Sequence, residues 1–237
     1  MDGSHIELAQ TFADIAQELE KQPSLEATVD EAVRQAVDVV PGCDFAGVSW
    51  LQDKQPIETI ASTDEIATLL DKAQFELGEG PSVESLWDGD TCLVEDMQAD
   101  TRWPRFAARA IELGIQSLLS CQLPSPRQTS AALNLYAREA GALDGESLAI
   151  VQVFAAHASI ALTHRRTEAG LRAAIDTRGT IGQAIGVLVE RHKVPPERAF
   201  DLLVRASQRS HVKLRDLAAY IVDTGVEPDA VARTSTT

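Results

Sequence analysis

The sequence predicts an α+β fold in which an antiparallel sheet flanked by helices is followed by a long connecting helix and a C-terminal three-helix domain. Alternating apolar and polar residues, typical of five or six strands linked mostly by hairpins, occur only before residue 138. A helical pattern then runs from Asp144 to about Val194 without a proline. Beyond that point the apolar residues keep helical spacing only, so the two parts of the chain differ in architecture.

The elements of the first part follow from their apolar spacing and from their flanking residues. Ser24 is placed as the N-cap of the second helix, and Pro41-Gly42 ends that helix. Glycines 78 and 80 permit positive φ, and Pro81 suits the first turn of a short helix. The predicted elements are helices at 6–19, 25–40 and 64–75, a short helix from Pro81, a helix from Pro104 to Gly114, and strands at 45–51, 57–61, 91–94, 115–123 and 130–137, with turns at 52–55 and 124–129.

Three short apolar stripes define the C-terminal helices. Val194-Pro195-Pro196 separates the first helix from the second, and Gly225 ends the third. Each helix is too short to be stable alone, so the three must share one small core. The apolar positions are Ile181, Ala184, Ile185, Leu188 and Val189, then Ala199, Phe200, Leu203 and Ala206, then Leu214, Leu217, Ala218, Ile221 and Val222.

The charge of the chain is divided unevenly. The net charge is -15 overall, yet residues 165–225 hold 11 Lys and Arg against 7 Asp and Glu. An acidic surface repels the phosphates of a nucleic acid, whereas a basic surface attracts them. The first part is therefore excluded as a nucleic-acid surface, and the second part is a candidate.

Several classes of protein are excluded by what the sequence lacks. Cys43, Cys92 and Cys121 are an odd number and form no C-x-x-C pair, which excludes a disulfide framework and a zinc site. We expect no secretory leader, because the first residues lack a basic region followed by an apolar one. The sequence also has no apolar run long enough for a membrane span and no motif of a hydrolase, a P-loop enzyme or a metalloprotease. We expect a cytoplasmic protein that is not an enzyme, and no motif identifies a cofactor.

The connecting helix carries an uneven heptad-like seam. One interpretation is that its first half packs on the sheet of its own domain. The interpretation we favour is that the helix pairs with its copy in a homodimer. His157 and His164 share one face and are interpreted as packing residues rather than as pH sensors. The seam consists of Ile150, Phe154, His157, Ala161, His164, Glu168, Leu171, Ile175 and Arg178.

Gly179, Gly182 and Gly186 are unusual inside a helix, because each costs about 0.5 to 1 kcal/mol relative to alanine. Something must approach that face closely. A neighbouring helix packed against it and a nucleic-acid loop both remain open as explanations.

The run from Thr177 to Val222 closely resembles the ANTAR domain, a three-helix RNA-binding module of bacterial transcription antiterminators. Two positions differ from the family, since Val189 stands where a methionine is frequent and His211 where an asparagine is frequent. The second departure weakens the case for an amide contact at that position. The matching residues are Thr177, Arg178, Ile181, Gln183, Ala184, Gly186, Leu188, Ala199, Phe200, Leu203, Ser207, Gln208, Lys213, Leu214 and Ala218.

The first part is similar to a GAF domain, an antiparallel sensory fold, over the segments LGEGPSVESLW and DTRWPRFAARAIELGIQSLLSCQL. The cyclic-nucleotide signature of some GAF domains is not found, so no ligand is carried over. Asp100, Arg102 and Trp103 are interpreted as a structural loop rather than as a pocket. The two resemblances imply a GAF-like sensory domain at 1–164, an ANTAR domain at 165–228 and a disordered tail at 229–237.

The ANTAR resemblance implies an antitermination regulator that binds paired RNA stem-loops under the control of a small-molecule, redox or protein signal. Because exposed aromatic residues are scarce in this module, contacts should rely on hydrogen bonds and phosphates. Two alternatives remain open: a DNA-binding regulator, and an interaction module without a nucleic-acid ligand. The residues expected to face RNA are Arg178, Gln183, Gly186, Arg191, Ser207, Gln208, Lys213 and Arg215.

Overall fold

The computed structural model describes residues 2–51, 57–89, 91–124 and 130–226, which form thirteen helices and strands. The order of these elements confirms the α+β class. The turn predicted at 52–55, most of the loop at 124–129 and the tail at 229–237 lie outside the described residues. The elements are α1 Asp2–Lys21, α2 Leu25–Val39, β1 Phe45–Leu51, β2 Glu58–Ser62, α3 Glu65–Leu77, α4 Pro81–Asp88, β3 Cys92–Val94, α5 Pro104–Glu112, β4 Ser117–Leu123, β5 Ser130–Ala137, α6 Gly145–His192, α7 Pro196–Ser210 and α8 Leu214–Thr224.

The chain divides into two compact units, Met1–Thr167 and Glu168–Thr237. The first unit is built on a sheet of strand order β2-β1-β5-β4-β3, in which all neighbours are antiparallel. Leu133 of β5 pairs with Val48 on one side and with Cys121 on the other. Because side chains alternate along a strand, these three residues share one face, and the next residue on each strand faces the opposite way.

Each face of the sheet has its own apolar core. One core holds residues of α1, α2 and α6, among them Leu19, Ala36 and Phe154. The other holds residues of α3 and α5, including Leu70 and Phe106. The helix starts follow from the sequence, since Ser24 Oγ accepts a hydrogen bond from the amide of Ala27 at 3.2 Å and thereby caps α2.

The predicted seam of α6 is wrong in its first half. Phe154 is 0% exposed and Ala161 is 4% exposed, because the sheet of the first unit covers this side of the helix. The exposed large apolar residues of this segment are Val153 and Ile160, one position before Phe154 and Ala161 respectively. His157 stacks on Phe12 with ring centroids 6.0 Å apart, which fits the packing interpretation of that histidine.

The apolar content of α6 also satisfies a test for membrane spans. An 18-residue window of this helix has a mean hydropathy of 1.4, and 44% of that window is buried inside the protein. Val151, Phe154 and Ala158 belong to the core beneath the sheet, so apolar residues in this helix serve the packing of a protein core. Further along, residues 169–176 are exposed without exception.

The second unit consists of the last part of α6 with α7 and α8. His211 ends α7 in the left-handed conformation, with φ 56°. The hydroxyl of Ser207 donates to the carbonyl of Val212 at 2.6 Å across the same turn. The small core of this unit contains Ala184, Leu188, Ala199, Leu203, Ala206, Leu217, Ala218 and Ile221.

Candidate nucleic-acid interface

The turn between α7 and α8 brings four of the eight expected RNA-facing residues together. Gln208 and Ser207 lie in the last turns of α7, Lys213 is the N-cap of α8, and Arg215 lies in its first turn. Ser207 is half-buried and uses its hydroxyl proton within the turn, whereas the other three side chains are exposed. Only an accepting role therefore remains for Ser207 toward a ligand.

The charge of this turn is accessible to solvent. Arg215 Nε lies 3.1 Å from Asp216 Oδ1, and both side chains are more than half exposed. A surface pair of this kind is weak, so it does not prevent the guanidinium from contacting a phosphate. In addition, no side chain of the described residues caps the N-terminus of α8, where helix amides favour an anion.

The other four expected residues lie on α6 and do not form one patch. Arg178, Gln183 and Gly186 are exposed along the helix. Arg191 lies at the far end of α8, because its Nη2 is 3.6 Å from the position that a Cβ on Gly225 would take. The eleven residues of α8 span about 16 Å, which separates Arg191 from the α7–α8 turn.

The glycine face of α6 is uncovered. A Cβ built on Gly179, Gly182 or Gly186 meets no atom within 4 Å in the part of the chain that the structure describes. Ala184 and Leu188 point into the core from the opposite side of the helix. Within one chain, therefore, no described element explains the glycines, and an external partner remains as the explanation.

The outer face of α7 adds three cations that the expected set left out. Arg198, Arg205 and Arg209 are spaced by seven and four residues, which places them on one side of the helix, and all three are exposed. The same spacing argument that located the core of α7 was sufficient to find them. Together with Lys213 and Arg215, they outnumber the exposed carboxylates of Asp201 and Asp216 beside them and give the second unit a surface of net positive charge.

The first unit contains a buried polar cluster that the sequence reasoning missed. Asp71 of α3 is fully buried and accepts hydrogen bonds from Ser49 at 3.1 Å, Thr59 at 2.9 Å and Asn134 at 2.9 Å. Tyr136 also donates its hydroxyl to this carboxyl group. Burial raises the pKa of Asp71, and burial together with the adjacent Asp71 raises the pKa of Tyr136 well above its usual value.

The cluster continues from Asp71 toward α4. Gln74 donates to Ser82 Oγ at 2.8 Å and to the Tyr136 hydroxyl at 3.2 Å, while its own oxygen accepts from the Ser82 amide at 2.9 Å. Gly80 has φ 132°, and a Cβ there would lie 2.3 Å from Gln74 Oε1. Both carboxyl oxygens of Asp71 and both ends of the Gln74 amide are thus occupied by groups of the chain itself.

The remaining candidates of the first unit are engaged in structural contacts. Arg102 forms an ion pair with Asp100 at 2.6 Å, and its Cζ lies 4.2 Å from the ring centroid of Trp103. These three side chains therefore stabilise the loop by contacts with each other. Burial raises the pKa of Cys43 to about 12. It also raises the pKa of Cys92 and of Cys121, which disfavours the reactive thiolate in all three cysteines. Among the described residues, no cluster of His, Cys, Asp and Glu is arranged to hold a metal ion.

Comparison with known proteins assigns both units. The family model for the GAF domain matches residues 22–163, and the model for the ANTAR domain matches residues 169–222. A GAF domain from an Acinetobacter phosphoenolpyruvate-protein phosphotransferase is 16% identical, with a TM-score of 0.53 over 69% of this chain and 97% of that one. Free methionine-R-sulfoxide reductase from Neisseria meningitidis is 11% identical, with a TM-score of 0.54 over 71% and 95%.

At these identities, the two solved structures support the fold of the first unit and nothing further. A search of curated proteins finds no match to this chain. GAF domains are sensory, and the ANTAR domain is an RNA-binding antitermination module. The chain belongs to the GAF domain family and carries an ANTAR domain on its C-terminal side.

Proposed function

We propose that the protein is a cytoplasmic transcription antitermination regulator whose second unit binds paired RNA stem-loops under the control of a signal received by its GAF domain. The observation that carries the proposal is the coincidence, within residues 169–222, of the ANTAR match with an exposed basic surface. Single-stranded RNA loops present base edges and phosphates that exposed Arg, Lys and Gln side chains can reach.

The proposed contacts divide by chemistry. Lys213, Arg215 and Arg178 neutralise phosphates, and the uncapped N-terminus of α8 adds amide donors beside them. Gln183 and Gln208 offer both a donor and an acceptor to base edges. Gly186 admits the sugar-phosphate backbone close to α6, Ser207 accepts a hydrogen bond, and Arg191 contacts a second segment of the RNA.

Binding to a two-hairpin RNA is expected to be steeply dependent on salt. If about four phosphates are neutralised, the slope of log K against log salt concentration is about -3. Replacing Lys213 by Gln removes one phosphate contact and makes the slope shallower by about 0.7. A gel-shift titration at several salt concentrations measures both values, with Lys72→Gln in the exposed part of α3 as the control of equal charge.

Three outcomes would contradict this assignment. A preference for duplex DNA over the RNA favours a DNA-binding regulator. If the affinity of the complex does not depend on salt concentration, the protein does not bind the RNA through phosphate contacts. If Arg191→Glu and Lys213→Glu together leave regulation in cells intact, the unit is an interaction module without a nucleic-acid ligand.

We also propose that two copies pair through α6. The first unit exposes Val153 and Ile160, which are seven residues apart, and the second exposes Leu171 and Ile175, which are four apart. Both spacings keep apolar residues on one side of a helix, as a coiled-coil partner requires. In a symmetric dimer the same surface of both copies forms the interface, so the exposed apolar residues of α6 in one copy would pack against those in a second copy of this chain.

Disrupting this contact is expected to give monomers. Ile160 is 67% exposed, so Ile160→Glu leaves the core of the first unit intact but places a charge in the interface. The dimer dissociation constant should rise at least about tenfold. Light scattering after size-exclusion chromatography measures it, and Ile111→Glu on α5 serves as the control. An equal mass for both variants and the unmodified chain would refute pairing through α6.

A further inference from the structure

The outer side of α7 carries four exposed residues in a row, which we call the arginine stripe. Arg198, Leu202, Arg205 and Arg209 follow one another at intervals of four, three and four positions. Because an α-helix has 3.6 residues per turn, this spacing places all four within an arc of about 60°. Each of them is exposed, and Leu202 keeps 39% of its surface accessible. The arginine stripe is therefore open to a partner and does not belong to the side of α7 that packs into the core of the second unit.

The net charge of this side of α7 is positive. One carboxylate lies at the edge of the arginine stripe, that of Asp201, three positions after Arg198 and four before Arg205. Within the part of the chain that the structure describes, Asp201 forms no ion pair with either arginine. The other carboxylate of α7, Glu197, lies about 100° around the helix from Arg198. An anion at the stripe thus meets exposed guanidinium groups, whose planar geometry matches the oxygens of a phosphate.

The arginine stripe leads away from the turn between α7 and α8. Arg209 follows Gln208 directly and lies two positions before His211, at which α7 ends. Arg198 lies eleven positions before Arg209, which corresponds to about 16 Å along the helix axis. The stripe therefore begins beside the turn that is proposed to bind an RNA loop and continues from there along α7.

We propose that the arginine stripe binds the sugar-phosphate backbone of an RNA stem whose loop is bound at the α7–α8 turn. The stem of a hairpin continues from its loop, so it lies along a surface that continues from the loop-binding turn. Side chains do not enter the deep groove of an A-form helix, so they contact such a stem through its phosphates and riboses. Arg198 and Arg205 donate hydrogen bonds to phosphate oxygens, and Leu202 between them packs against the apolar part of a ribose.

The stripe and the turn make different contributions to binding. Phosphate contacts position a protein on a nucleic acid and carry no sequence information, whereas base contacts specify the sequence. The stripe therefore adds affinity for any paired stem, and the turn selects the loop. A length of about 16 Å corresponds to roughly five base-pair steps of about 3 Å, so a shorter stem does not reach Arg198. This division rests on the proposed function, because it requires that the second unit binds RNA.

The test compares two-hairpin RNAs that have the same loops and stems of different length. One RNA has stems of about nine base pairs, and the other has stems of about four, which end before Arg198. Arg198→Gln is expected to weaken binding of the long-stem RNA about fivefold and to make its salt slope shallower by about 0.7 to 0.9. Affinity for the short-stem RNA should change by less than about twofold. Gel-shift titrations of the full chain at several salt concentrations measure both quantities.

Three further variants separate a phosphate contact from an effect on folding. Arg198→Lys keeps the charge and should retain most of the affinity for the long-stem RNA. Asp201→Asn removes the carboxylate at the edge of the stripe and should strengthen binding of that RNA about twofold. Arg172→Gln, at an exposed arginine of α6 that pairs with Glu168, is the control of equal charge and should affect both RNAs alike. Circular dichroism of each variant measures whether the helices are retained.

The possible results distinguish the stem contact from the proposed function. If Arg198→Gln weakens both RNAs equally, the arginine does not act on the stem, and the proposal is overturned. If it weakens neither RNA, the stripe lies outside the RNA surface, and the proposed function stands without it. Unchanged RNA affinity together with a loss of regulation in cells assigns the stripe to a protein partner instead. If the unmodified chain binds neither RNA, the proposed function falls, and the stem contact falls with it.

Discussion

Replacing Asp71 by alanine is expected to lower the free energy of unfolding of the GAF domain by about 3 to 5 kcal/mol. The substitution leaves the buried hydroxyls of Ser49 and Tyr136 and the amide of Asn134 without their acceptor, and it opens a cavity beside them. Urea denaturation followed by circular dichroism measures the loss. Glu76→Ala removes an exposed carboxylate from the same helix and should change stability by less than about 0.5 kcal/mol.

The sign of the pH dependence follows from the same carboxyl group. Burial raises the pKa of Asp71 above its unfolded value of about 3.9, so the unfolded chain releases this proton first as the pH rises. The contribution of Asp71 to stability is therefore full below the unfolded pKa and is lost as the pH rises through the folded pKa. Among the described residues, Tyr136 is the other titratable group in direct contact with Asp71.

Asparagine at position 71 has the shape of the protonated acid and does not ionise. The stability of Asp71→Asn relative to the unmodified chain should therefore improve with increasing pH across that window. Comparing the two chains cancels the contributions of Glu31, Glu79 and Asp144, whose pKa values are lowered by hydrogen bonds in the folded state. A difference that stays flat or falls with increasing pH would show that the pKa of Asp71 is not raised in the folded state.

Alanine at Gly182 and Gly186 is expected to make the ANTAR domain more stable and a weaker RNA binder. Each substitution should raise the free energy of unfolding by about 0.5 to 1 kcal/mol, since both glycines are helical and no described atom lies near the added methyl. The same methyl groups occupy the space in which an RNA backbone would approach α6. Affinity for the two-hairpin RNA should fall about tenfold, or ~1.4 kcal/mol.

Gly170→Ala is the matched control for this experiment. Gly170 lies in the same helix with equally open surroundings, but nine residues before Gly179 and thus on the opposite side. It should raise helix stability without changing RNA affinity. Unchanged RNA binding by Gly182→Ala and Gly186→Ala, together with the gain in stability, would mean that the glycine face serves a different partner.

Local sequence patterns located the helices and strands, but they did not reveal the Asp71 cluster. Ser24 and Pro81 act on their immediate neighbours, so their roles follow from adjacent residues. Asp71 instead depends on Asn134 and Tyr136, which are more than 60 positions away along the chain. One local signal was present, since Asp71 and Gln74 share the buried side of α3 with Ala67 and Leu70.

The buried side of α6 and the backbone conformation at the end of α7 also could not be predicted from local sequence patterns. A seam through Phe154 and a seam through Val153 have the same period, so only the position of the sheet decides which one is buried. His211 stands at a position where the resemblance favoured asparagine. Its left-handed backbone explains that preference, because asparagine tolerates this conformation well.

The exposed stretch 169–176 of α6 has a consequence for order in the chain. These eight residues, one of them Gly170, lie inside α6 between two packed segments, so the helix is held at both ends of the stretch while the stretch itself is exposed to water. Without a partner helix packed along them, these two turns open locally more easily than the packed parts of α6. We expect their amide protons to exchange with solvent faster than those of the packed parts. A partner helix that excludes water from one side of the stretch shifts this opening equilibrium toward helix. Association along residues 169–176 would therefore increase the order of their backbone.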